Sequence, residues 1–280
     1  MDNHFDFYRA PGPYTDVKEF RTLLQTLPDD AGSLLHFVKA LLIHPLAARE
    51  CGVRFNFKSA LRNQVDHRSV NDILRNPKVS ALLGRGTLDL HTEPAERGIL
   101  SCDHHAILLV SILRLKGKAA RARCGYATYL VPDMLTPHWI VEVYDENAGT
   151  WQSVDPEQAR LQIPNGEFLT AGQVWCRLKD GSTAIEQVLP DYQEGLDGVK
   201  YRLLNDINAL MKNELLNYDW LIREAAPKKP AIFALPVEKL TQTDLDLLHQ
   251  LATFSGQAEG KLDEIRRLYT TYLATENLPG

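Results

Sequence analysis

Gly98-Ile99-Leu100-Ser101-Cys102-Asp103-His104-His105-Ala106-Ile107-Leu108-Leu109-Val110 is the stretch on which the reading of the fold turns. After Ala106 the residues are apolar in every direction, continuing through Ile112, Leu113 and Leu115, and a helix apolar on every face is a buried one. Ser101 is a good N-cap residue, so Cys102 falls in the first turn. Unsatisfied backbone N–H groups and the positive end of the helix dipole favour an anion there, so the thiol can ionise below its ordinary pKa of about 8.5. Gly98 lets the backbone approach the helix start closely. Gly117, preceded by Lys116, is the expected stop.

A cysteine alone is most often a small buried hydrophobe. Two downstream segments change that reading. Pro137 to Tyr144 reads as a strand, Glu146 to Gly149 as a turn, and Thr150 to Pro156 as the partner strand. Such a hairpin can bring His138 and Asp155 near each other. Cys, His and Asp in that order supply a thiol nucleophile, a general base and a carboxylate that orients the base. His104 and His105 are rival bases, but they lie only two or three residues from the thiol and read better as helix-packing residues. Glu142 shares a strand face with His138 and reads as an ion-pair partner of Arg121 or Arg123, both taken as structural.

Cys102-Asp-His-His-Ala106, Gly117-Lys-Ala-Ala-Arg-Ala-Arg-Cys-Gly-Tyr126, His138, and Trp151 through Asp155-Pro156 together resemble the bacterial transglutaminase-like superfamily. The resemblance covers roughly residues 80 to 160, with the motifs in order. It implies that Cys102 is the nucleophile, His138 the base and Asp155 its orienter, on a transglutaminase-like or papain-like α+β fold. It also leaves Tyr126 near the site, and Gln64, Tyr126 and Trp139 are weak candidates for substrate contact. Three positions depart from the pattern: Asp103 stands where Arg is common, Lys118-Ala119 replaces Ile-Pro, and Trp139 directly follows the His. Asp103 would oppose thiolate formation unless it points away. Papain-like enzymes complete their oxyanion hole with an upstream side-chain donor. Gln64 and Asn71 could serve, against the plainer reading of both as surface amides.

The chain has 280 residues, 44% hydrophobic and 24% charged, with a net charge of −5. That is ordinary for a soluble domain and lacks the basic face of a nucleic-acid binder. The first residues show no basic and apolar leader pattern, and no apolar run approaches the roughly 18 residues that span a bilayer. Four widely spaced cysteines, Cys51, Cys102, Cys124 and Cys176, fit reduced thiols in a cytoplasmic protein. Nine histidines show no His-x-x-x-His or His-Glu-x-x-His spacing, so no metal and no other cofactor is expected. His36 and His44 read as packing or surface residues.

The expected organisation is a helical segment over 1–83, a catalytic core over 84–180 and a C-terminal helical extension over 181–280, or all of these in one compact domain. Residues 1–15, with their aromatics, Pro11, Gly12 and Pro13, read as an extended arm or a cover. Asp30 or Ser33 begins a helix that Pro45 kinks or ends. Helices are also expected at 59–65 and 69–83, broken near Pro77. Ala119 to Leu130 reads as a half-buried strand and Glu157 to Ile163 as extended. Further helices are expected at 168–178, 199–217, 243–254 and 261–273, with Tyr218-Asp219-Trp220 packing on the core and Ala225 to Ala231 as the linker. The two tail helices pack on their own domain or on a second copy of the chain. The function expected is acyl transfer from an amide or thioester of a peptide, protein or small molecule, to water or to an amine. The alternative is a catalytically silent binding or scaffold protein.

Overall fold

The computed structural model describes residues 4–86, 92–191, 193–216 and 231–273. The chain divides into two units, residues 1–122 with 140–163, and residues 123–139 with 164–280.

In the first unit the N-terminal residues are helical, α1 (His4–Arg9), rather than an extended arm. One turn of helix sets Phe5 and Tyr8 on one face, where their rings meet Tyr144 at 3.9 Å and Trp151 at 5.6 Å. A short 3-10 turn leads to α2 (Arg21–Gln25). Helix α3 (Ala31–Leu41) starts where Asp30 accepts the Ser33 N–H at 2.8 Å, and it buries Leu34, Leu35, Val38 and Leu41. Pro45 does not kink this helix. The chain passes through β1 (Leu42–Ile43), and Pro45 opens a new helix, α4 (Pro45–Glu50). Proline suits the first helical position because its missing N–H would have no partner there. His44 is thereby made an N-cap, its Nδ1 accepting the Leu46 N–H at 3.3 Å.

Helix α5 (Phe57–Asp66) follows, then α6 (Val70–Arg75) with a Ser69/Asp72 capping box, and α7 (Pro77–Leu83) capped by Asn76. Strand β2 (Gly98–Ile99) pairs in parallel with β1, Leu42 opposite Gly98 and Ile43 opposite Ile99. Gly98 is required by close packing, since a Cβ there would lie 2.8 Å from Val79. Helix α8 (Cys102–Leu115) is buried over every residue from Cys102 to Arg114 and ends at Gly117, whose φ is +74°.

A four-stranded sheet has the order β5-β4-β3-β6. Strand β3 (Ala120–Ala127) is buried throughout rather than half-exposed. Strands β4 (Thr136–Asp145) and β5 (Thr150–Val154) form the expected antiparallel hairpin, in register from Val141 opposite Val154 to Asp145 opposite Thr150. Beyond it the chain turns instead of staying extended: Asp155 and Arg160 exchange backbone hydrogen bonds of 2.9 and 3.0 Å.

In the second unit β6 (Phe168–Thr170), a segment expected to be helical, pairs with β3 and leads into α9 (Ala171–Lys179). Helix α10 (Gly195–Leu210) buries Leu203, Leu204, Ile207 and Leu210, and stops short of Asn217 with Lys212 at φ +58°. Helix α11 (Ala231–Ala234) precedes α12 (Gln242–Gly256) and α13 (Leu262–Leu268). The tail helices find their apolar partners inside this unit: Gly172 of α9 donates its N–H to Ser255 of α12, and Leu248, Leu251 and Ala252 are buried. Tyr218 to Trp220 and most of the expected linker lie outside the described residues.

Gly125 marks the tightest strand contact, because a Cβ there would sit 2.2 Å from the Leu169 carbonyl oxygen. The β3–β6 ladder would have to open to admit it. Gly125→Ala is therefore expected to cost about 3 kcal/mol, at the upper end for overpacking, read as a lowered urea midpoint with an unchanged slope.

Candidate functional site

Cys102 is the first residue of α8 and is buried. Ser101 occupies the N-cap position, but its hydroxyl makes no capping bond. It donates instead to Asp103 Oδ1 at 2.5 Å. The same oxygen accepts the His104 N–H at 2.9 Å and lies 2.8 Å from His104 Nδ1. The carboxylate flagged in the sequence as a threat to the thiolate is thus committed to a hydroxyl, an amide and an imidazole. His104 Nε2 faces the Gln64 carbonyl at 3.1 Å, which makes this histidine a packing residue, as its sequence position suggested.

His105 is the second packing histidine. Its Nδ1–H donates to the Ser101 carbonyl at 2.9 Å, and burial pushes its imidazole below the ordinary range, against a smaller opposing pull from Glu157. A base whose folded pKa is depressed gives up stability as pH falls below its unfolded value of about 6.5, where only the unfolded chain takes the proton. Below about pH 6.5 the group therefore removes stability progressively as the pH falls. His105→Gln, which can still donate to Ser101, is expected to flatten that part of the stability profile, measured by urea unfolding across the range.

Asp155 is fully buried. Its Oδ1 accepts the N–H groups of Glu157 and Gln158, both at 2.9 Å. One oxygen of the expected orienting carboxylate therefore shapes the turn after β5, the role that Asp before Pro commonly takes.

That turn carries Glu157 back to the thiol. A ring nitrogen of His44, the Cys102 Sγ and a carboxylate oxygen of Glu157 all lie within 4.8 Å of one another. The β1–β2 bridge explains the approach: Ile43 pairs with Ile99 and accepts the Leu100 N–H at 3.0 Å, so the residues following both short strands emerge together. The sequence reading gave His44 a packing or surface role and placed Glu157 in an extended segment. The available signal for His44 was Pro45, which marks a helix start and puts the preceding residue at the N-cap; nothing local pointed to Glu157.

His138 lies in the second unit, on β4, and is buried. Its carbonyl accepts Arg202 Nη2 at 3.1 Å, while Arg202 Nε reaches the Gly125 carbonyl at 3.1 Å and Nη1 reaches Asp191 at 2.6 Å. One guanidinium of α10 thus fixes the backbone of β3 and of β4 at the histidine. The Tyr129 ring stands edge-on to the imidazole at 6.2 Å. Tyr126 and Trp139 are buried in this unit; burial raises the Tyr126 phenol well above its ordinary pKa, so it stays protonated. Gln64 and Asn71 are buried, not surface amides. Asn71 donates to the Asp16 carbonyl at 2.6 Å, and Gln64 Oε1 is buried without a hydrogen-bond partner among the described residues. Arg121 pairs with Glu142 at 2.5 Å and stacks on Trp151 at 4.0 Å, the structural role expected of both charges.

Residues 73–156 match the family model of the transglutaminase-like superfamily. No curated protein matches the chain. A solved structure of a candidate cysteine protease from Cytophaga hutchinsonii aligns with a TM-score of 0.38 and 15% identity, over 61% of this chain and 46% of that one. The chain thus spans less than half the length of that protein. Among the described residues no helix is long and apolar enough to cross a membrane.

Proposed function

We propose, from the premise that residues 73–156 form a transglutaminase-like core, that this chain is a thiol acyl-transfer enzyme. In this reading Cys102 is the nucleophile, His138 the general base and Asp155 the carboxylate that holds the base in its working tautomer. The Cys102 thiolate attacks the carbonyl carbon of an amide or thioester. The C–S bond forms, the C–N or old C–S bond breaks, and His138 hands its proton to the leaving group. Water or an amine then takes the acyl group from the thioester, with His138 removing that nucleophile's proton.

The observation that carries the reading is the setting of Cys102. It opens a helix buried on every face, where the dipole favours an anion, and its acidic neighbour Asp103 is already matched to Ser101 and His104. Labelling with iodoacetamide tests it. Exposure alone ranks Cys51 first, because Cys51 is exposed and Cys102 buried, and burial raises the Cys176 thiol. An ionised Cys102 reverses that order, and at pH 6.5 it is expected to alkylate about tenfold faster than Cys51. Labelling that follows exposure would favour the silent scaffold.

A further inference from the structure

We infer that His44, Cys102 and Glu157 form a binding site for a zinc-class divalent cation, one that takes the thiol sulfur out of reaction while it is bound. Two independent observations carry this. The three donor atoms are gathered within 4.8 Å of one another. Ligand atoms around tetrahedral zinc stand about 3.3 to 3.8 Å apart, from bond lengths of about 2.0 to 2.3 Å, so a modest side-chain adjustment closes the set. Second, Glu157 Oε2 is buried and has no hydrogen-bond partner among the described residues, while its Oε1 accepts only the Gln158 amide, at 3.2 Å. A buried carboxylate oxygen left unpaired beside a thiol and an imidazole calls for a cation.

The donor chemistry selects the class. One thiolate, one imidazole and one carboxylate suit zinc and its softer neighbours and not magnesium or calcium, which take oxygen ligands. Three protein ligands leave the fourth position to water. Binding replaces the thiol proton: the S–H bond breaks, an S–metal bond forms and the proton leaves to solvent. The resulting charge of −2 from thiolate and carboxylate is balanced by the cation. The sulfur lone pair is then held by the metal and no longer attacks a carbonyl.

His44 adds a specific cost. Its Nδ1 accepts the Leu46 N–H at 3.3 Å, so the neutral ring carries its proton on Nε2. Coordination through either nitrogen removes that capping bond, by occupying Nδ1 or by moving the proton onto it. Losing an N-cap lowers affinity about fivefold, a small deduction for a three-ligand site. The Leu46 amide should therefore exchange faster in the metal-bound protein.

Equilibrium dialysis of the full chain against Zn2+, with Co2+ as the spectroscopic probe, tests the inference. The expected result is one ion per chain and a thiolate-to-cobalt charge-transfer band that Cys102→Ser abolishes. His44→Asn retains a favoured capping side chain, and Glu157→Gln retains shape; each should weaken zinc about tenfold to a hundredfold. Cys51→Ser, which changes an exposed thiol outside the cluster, should bind zinc as tightly as the natural chain. No stoichiometric ion, undiminished affinity in His44→Asn or Glu157→Gln, or loss of binding in Cys51→Ser would each overturn the site. The inference rests on Cys102 as the reactive thiol only for its inhibitory consequence. Binding is read without turnover, so failure of the acyl-transfer reading and failure of the metal site are separate results.

Discussion

His138→Ala is expected to lower acyl-transfer turnover on the order of ten-thousandfold while the protein stays folded. On the proposed reading Cys102 and His138 act as a unit, so removing the base would take away both the proton acceptor and the charge that holds the thiolate. The structure supports a clean measurement. The backbone at His138 is held by Arg202 through its carbonyl, a bond that alanine keeps, so the strand survives truncation of the ring. Asp155 separates more finely. Asp155→Asn keeps an oxygen for the N–H groups of Glu157 and Gln158 but loses the charge, and about a hundredfold loss in turnover is expected, milder than in a serine triad because a thiol ionises more easily. Asp155→Ala abandons both amides and should also lose about 2 kcal/mol of stability. Turnover and melting temperature on the three variants decide between triad and turn. A stability loss in Asp155→Asn with unchanged turnover would return Asp155 to the turn alone.

Asp206→Ala should be the most damaging change to the second unit, costing about 3 to 5 kcal/mol. Arg123 binds the Asp206 carboxylate through two nitrogens, at 3.0 and 2.9 Å. The Cys124 N–H and the Ser255 hydroxyl complete its acceptor set at 2.8 and 2.7 Å. Neither partner is more than 3% exposed. This one carboxylate ties β3 to α10 and α12. Removing it leaves a buried guanidinium without its counter-charge, which costs far more than the pair contributes in sum. Asp206→Asn keeps the shape and should recover part of the loss. Urea unfolding of the two variants checks both values.

The sequence made α8 readable to the residue because several signals agreed there: an apolar run too long for a strand, a capping position before Cys102 and a glycine after Lys116. The hairpin was equally plain, since alternation, a Glu-Asn-Ala-Gly turn and a second alternating run all demand one register. What escaped was set by tertiary context. Ser101 has the right chemistry for a cap, yet Asp103 competes for its hydroxyl at 2.5 Å. Pro45 can end one helix or begin another, and only the β1–β2 bridge decides for beginning. The segment of α1 read as an extended arm or cover and not as a helix because the partners of its aromatics, Tyr144 and Trp151, lie far along the chain. His44 and Glu157 had no motif at all; they meet Cys102 through a two-residue strand pairing and an Asp-capped turn. Glu142 was legible as an ion-pair partner of Arg121 or Arg123 because all three sit on well-marked strands, and the fold selects Arg121.

The most direct test of the central claim is a search for a covalent acyl adduct on the chain after incubation with a cell extract, located by peptide mass mapping. The expected result is an adduct on the peptide that contains Cys102, released by hydroxylamine as a thioester is, and absent from Cys102→Ser. An adduct on Cys51, Cys124 or Cys176 instead, or none on a chain whose Cys102 is shown to be reduced and metal-free, would contradict it.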